Sequence, residues 1–174
     1  MRPRTLILAL AVAALAAPAD ASAHLPLKGG KLIVPGRSIG RVKLGMTAER
    51  AANTWGKKGG SCSKTTVGAV SCRYDGGKRG IARFDIGSDG KVNAIYLESG
   101  HKSDGTAIYK GAIRQWTTVK GIRIGSPLQK VLKKYPKAQP DGGGVEIATA
   151  KSTTFFAGSE AHVYRIAIVA ASAI

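Results

Sequence analysis

Two segments of this 174-residue chain carry the same pattern, and that pattern constrains the fold more than any other feature. The first runs from Gly40 through Leu44-Gly45-Met46-Thr47 to Trp55-Gly56. The second runs from Gly121 through Ile124-Gly125-Ser126-Pro127 to Tyr135-Pro136. Each is a short alternating run, a glycine, a helix-starting signal and a helix that stops abruptly. Apolar residues fall at 48, 51, 52 and 55 in one and at 128, 131, 132 and 135 in the other, which is the stripe of an amphipathic helix. Ala52 thus corresponds to Leu132 and Trp55 to Tyr135, the mark of an internal repeat.

The helix ends are written in the sequence. Thr47 is placed to cap the first helix, Glu49 lies near the positive end of its dipole and Gly56 ends it. In the second, Ser126 is the expected cap, Pro127 the first helical residue, Gln129 the partner in a capping box and Pro136 the stop.

After each helix the period changes to two. Val70 to Tyr74, Ile81 to Ile86 and Val92 to Leu97 read as strands in the first half, and Val145 to Thr149, Ser152 to Phe156 and His162 to Val169 in the second. Ser88-Asp89-Gly90 is a hairpin turn, and Lys31 to Pro35 a short edge strand. The expected class is α+β: two tandem helix-plus-antiparallel-sheet repeats, separate or sharing one continuous sheet. The boundaries that follow are a flexible arm over 24–30, repeat 1 over 31–98, a linker over 99–106 and repeat 2 over 107–174.

Residues 1–23 read as a signal peptide. Arg2 and Arg4 precede an apolar run, Leu6 to Ala17, too short to span a bilayer, and Ala21-Ser22-Ala23 supplies the small residues of a cleavage site. No cysteine follows that run, so no lipid anchor is expected. The product belongs in the secreted or periplasmic envelope space.

Cys62 and Cys72 are the two cysteines. An exported chain with an even count close in sequence forms one disulfide most simply. No zinc spacing surrounds them, and neither a metal nor a cofactor is expected. A catalytic reading fares no better. Gly36-Arg37-Ser38-Ile39-Gly40 matches the G-x-S-x-G nucleophile elbow in letters, yet an extended run, Arg41 to Leu44, follows where a helix is required. The carboxylates Asp75, Asp85, Asp89 and Glu98 sit at turns or outward positions and assemble no acid–base pair. A small hydrolase is therefore the weakest reading, and the chain is read as a non-enzyme.

Charge is the remaining feature: 27 basic against 10 acidic residues give a net +17. On a helical wheel Lys130, Lys133 and Lys134 fall opposite the apolar stripe of the second helix, making one face wholly cationic. Such a face is either simply solvated or drawn to an anionic envelope polymer or phospholipid surface. Specific nucleic-acid binding is not expected, because no aromatic stacking platform accompanies the charge.

Leu44-Gly45-Met46-Thr47 before an amphipathic helix, a cysteine pair from helix end to first strand, a meander and a second copy together resemble the secreted β-lactamase-inhibitor protein family. More broadly, they are similar to the small lipoprotein modules of the outer-membrane assembly machinery. The second segment looks like the corresponding repeat of exported actinobacterial proteins. The resemblance implies a monomeric, non-catalytic binding module, with inhibition of an extracellular hydrolase as the alternative role. It also implies that the hairpin after the second cysteine, Tyr74, Asp75, Lys78 and Arg79, makes contact with a partner protein; as residues alone, these are an ordinary surface turn.

Overall fold

Strands dominate the chain, and eight of them form one antiparallel sheet. The computed structural model describes residues 24–26, 28–57, 59–65, 69–159 and 161–174, so the expected signal peptide lies outside the described residues. In chain order come β1 (Leu32–Val34), β2 (Ser38–Ile39), β3 (Val42–Lys43) and α1 (Ala48–Trp55). Next are β4 (Gly60–Lys64), β5 (Val70–Asp75), β6 (Ile81–Ile86), β7 (Val92–Glu98), β8 (Gly100–His101), β9 (Ala107–Ile108) and β10 (Thr117–Thr118). The last are α2 (Leu128–Lys134), β11 (Gln139–Asp141), β12 (Gly144–Ala148), β13 (Ser152–Ser159) and β14 (His162–Ala170). The large sheet has the order β11-β12-β13-β14-β7-β6-β5-β4, and a small one the order β10-β1-β2-β3.

This corrects the expected class. The chain is mostly β, not an α+β pair of helix-plus-sheet repeats: the two α-helices among the described residues have 8 and 7 residues and form no layer of their own. The physical reason is that helices of about two turns cannot cover eight strands, which are joined in the middle of the sheet. β14 pairs antiparallel with β7, Arg165 opposite Glu98 through Val169 opposite Ala94, so a strand edge that each half would leave unpaired is consumed by the other. A second cross-link is parallel: Leu32 and Ile33 of β1 pair with Thr117 and Thr118 of β10. β1 is thereby an interior strand of the small sheet rather than the edge strand its sequence suggests.

Register sorts the large sheet into two faces. Cys72, Phe84, Ile95, Ile168 and Thr154 form one inward row, and Tyr74, Ala82, Leu97, Ile166, Phe156 and Val145 the next. All are buried. α1, the small sheet and α2 cover this face, and Trp55 packs edge-on against Tyr74 and Phe84. The outward rows carry Arg73, Arg83, Tyr96, Ala167, Phe155 and Glu146. A polar tie crosses between the layers: Gly36 donates its amide to Thr154 Oγ1 at 2.6 Å and accepts from Ser152 Oγ at 2.8 Å.

Local details agree with the sequence at α1 and depart from it elsewhere. Thr47 caps α1 by accepting from the Arg50 amide, and Gly56 ends it at φ 93°. At α2 the cap position belongs to Pro127, which offers no side-chain bond; Ser126 Oγ accepts from the Arg123 amide instead, in the turn before the helix. In the arm, Leu25 joins the core and Pro26 O accepts from Lys31 Nζ. Within the expected linker, Ser99 is buried and β8 pairs with β9.

Candidate functional site: a cationic trough beside the small sheet

β2 and β3 are joined by a two-residue hairpin, Gly40-Arg41, with both residues at positive φ (52° and 69°) as a type I′ turn demands. Glycine is required first, because a Cβ there would strike the Trp116 ring. Arg41 takes the left-handed conformation at a cost of about 1 kcal/mol. Ala161 does the same in the β13–β14 hairpin, so the conformation belongs to the turn geometry. What is particular here is the residue: a guanidinium is carried at the exposed tip.

Arg41 and Lys43 stand between two open grooves. One, of about 590 Å³, is lined by Lys28, Arg41, Lys43, Met46, Arg50 and Thr54, with Gly29 at its base. The other, of about 360 Å³, shares Gly29, Arg41 and Lys43 and adds Arg37, Ser38 and the aliphatic Leu32 and Val34. Together they form one trough with five cationic side chains, all exposed, and no carboxylate in the lining. None of the five is in an ion pair among the described residues.

The reason is segregation of charge. The arginine–carboxylate pairs lie on the outward face of the large sheet: Arg73 with Asp75 at 2.8 Å, Arg83 with Asp85 at 3.4 Å and Arg165 with Glu98 at 3.0 Å. Three of the acids of a strongly basic chain, Asp75, Asp85 and Glu98, are thus engaged across the core from the trough. Lys31 shows the contrast: its Nζ bonds Pro26 O and lies 4.5 Å over the Trp116 ring, and burial lowers its pKa. Among the described residues the trough cations have no such side-chain partner.

The residues anticipated from sequence are placed as follows. Cys62 and Cys72 are bridged, facing each other across β4 and β5 rather than joining helix end to strand. That bond is the chemistry of an exported chain. Tyr74 is 2% exposed and donates its hydroxyl to Gly56 O at 3.1 Å, while burial raises its pKa. It is core, and the hairpin beyond it loses its aromatic anchor. Asp75 pairs with Arg73 and accepts the Gly77 amide at 2.7 Å; Lys78 and Arg79 are exposed on the following turn. On α2, Lys130, Lys133 and Lys134 are exposed, but Lys130 Nζ donates to Gly121 O at 3.3 Å and Lys120 Nζ to Lys134 O at 2.8 Å. Part of that cationic face is therefore spent on closing the helix against the preceding turn.

Ser38 lies in extended β2, buried and paired with Val34 and Lys43, not on the strand-to-helix turn of a nucleophile elbow. Among the described residues no group of three or more His, Cys, Asp or Glu is positioned to hold a metal, and no helix is long and apolar enough to cross a membrane. Two further grooves meet at Tyr164 on the large sheet: one of about 260 Å³ with Asp141 and Phe155, the other of about 450 Å³ with Glu98, His101 and Arg165. In the second, Glu98 is already held by Arg165.

Sequence reasoning missed the trough because its cations come from the arm, a turn, a hairpin tip, a strand and a helix. The one available signal was the density of Lys28, Arg37, Arg41 and Lys43 without an intervening acid, with Arg50 just after Glu49.

Comparison with known protein families and with curated proteins gives no match. Among solved structures, the chain is similar to an extracellular protein containing a SCP domain from Bacillus anthracis str. Ames, at 12% identity and a TM-score of 0.51. The likeness covers 72% of this chain and 43% of that one, so the chain spans less than half the length of its structural neighbour, and the likeness is one of fold.

Proposed function

We propose that this chain is an exported, non-catalytic binding module that recognises anionic material of the cell envelope. The observation that carries the reading is the trough: five exposed cations converge around the Arg41–Lys43 ridge with no carboxylate in the lining. Three of the five are arginines, whose planar forks meet phosphate or carboxylate oxygens in pairs. Several such contacts acting together release counterions, so binding is strong at low salt and weak at high salt. On this reading the work of the trough is recognition.

The test is binding of the mature protein to a soluble anionic polymer, inorganic polyphosphate, across a salt series. Arg41→Gln with Lys43→Gln is expected to weaken binding at least tenfold and to flatten the salt dependence. Replacing Lys130, Lys133 and Lys134 together by glutamine is expected to change it much less, because those lysines line no cavity with the trough. Equal losses from the two variants, or binding that persists at molar salt, would refute the assignment of the site.

A further inference from the structure

We infer that the trough docks the protein on an anionic phospholipid bilayer, with Leu32 entering the headgroup–acyl boundary and Arg37, Arg41 and Lys43 meeting lipid phosphates. This rests on the anion-binding reading above and names the surface that the site addresses. The observation behind it is the composition of the trough's lining. In β1 the buried Ile33 alternates with Leu32, which is 47% exposed, and Val34, which is half-buried. Leu32 and Val34 line the same groove as Arg37, Arg41 and Lys43.

A soluble polyanion needs cations and gains nothing from an exposed leucine. A bilayer presents phosphates above hydrocarbon, and there an aliphatic side chain ringed by cations is matched on both counts. The strand beside β1 adds to the pattern. β10 runs parallel to it, Thr117 opposite Leu32, and the chain leaves β10 through Val119, which is 77% exposed at the tip of the Thr118–Gly121 turn. Two of the three exposed large hydrophobics among the described residues therefore sit on or next to two adjacent strands of the small sheet. Coulomb attraction is worth about fivefold in affinity per basic residue near such a surface, so the five cations supply most of the binding and Leu32 makes it depend on lipid.

The experiment is co-sedimentation of the mature protein with phosphatidylcholine vesicles, with and without phosphatidylglycerol, beside the polyphosphate titration. Binding is expected to vesicles containing phosphatidylglycerol and not to phosphatidylcholine alone. Leu32→Ser, a surface change, is expected to weaken vesicle binding about tenfold and polyphosphate binding much less, so that the ratio of the two shifts. Arg41→Gln with Lys43→Gln should weaken both. If the wild type binds polyphosphate but not the anionic vesicles, or if Leu32→Ser binds them undiminished, the membrane inference is overturned and the anion-binding reading stands. If neither probe binds, both fall.

Discussion

Trp55 and Trp116 meet edge to face, ring centroids 6.0 Å apart, and both are fully buried. The contact joins α1 to the segment that leads into β10, and Trp55 continues it to Tyr74 at 5.3 Å and Phe84 at 5.5 Å on the large sheet. Trp55 also donates its indole N–H to Ile39 O at 3.2 Å, so the same side chain fixes β2. Trp55→Ala is expected to cost about 3 to 5 kcal/mol in urea unfolding, the usual range for a buried aromatic. A loss below about 1 kcal/mol would show that the two layers are held by something else.

The stripe of α2 is unevenly buried. Val131 is fully buried, whereas Leu132 is only partly covered at the edge of the core. Helix periodicity alone ranks the larger leucine first. The packing reverses the order, and Val131→Ala is expected to destabilise by about 2 kcal/mol, more than Leu132→Ala. Unfolding of both variants under the same conditions decides it.

The Cys62–Cys72 bridge ties edge strand β4 to β5. The intact mass of the exported protein is expected to rise by about two units on reduction, one hydrogen for each thiol released. Closing so short a loop is worth about 3 kcal/mol on the chain-entropy account. Amides of Gly60 to Lys64 should lose exchange protection first on reduction, because an exposed edge strand has a ladder on one side only. Free thiols in the exported protein would contradict the bridge.

Asp75 gives a pH signature. Burial alone would raise its carboxyl, but the Gly77 amide and the Arg73 guanidinium outweigh it and hold the group below its ordinary value of 3.8. A depressed carboxylate contributes stability above its unfolded pKa and loses it as pH falls through the folded value. Asp75→Asn is therefore expected to be less stable than the wild type at neutral pH, by less than about 1 kcal/mol for so exposed a pair, and to converge with it below about pH 4. A difference that grows on acidification would contradict this account.

What the sequence by itself determined is local. Thr47 and Gly56 bound α1 because capping chemistry acts within one turn, and β6 runs from Ile81 to Ile86 as its alternation states. The cysteine pair, ten residues apart, was legible for the same reason. Alternation, however, assigns residues to two faces without saying which is covered. Tyr74 reads as a hairpin contact or as part of a surface turn until Trp55 is laid against it and shows it to be core. The pairing of β14 with β7, and of β1 with β10, joins distant segments with no matching signature, and only the first of these decided that the two meanders share one sheet. The trough was decided in the same way. Helical spacing made the lysines of α2 visible as a face, while Lys28, Arg37, Arg41, Lys43 and Arg50 share no period and become one site only when the hairpin and α1 fold beside each other. Periodicity reports the geometry of one element at a time; a surface assembled from several elements exists only in the tertiary structure.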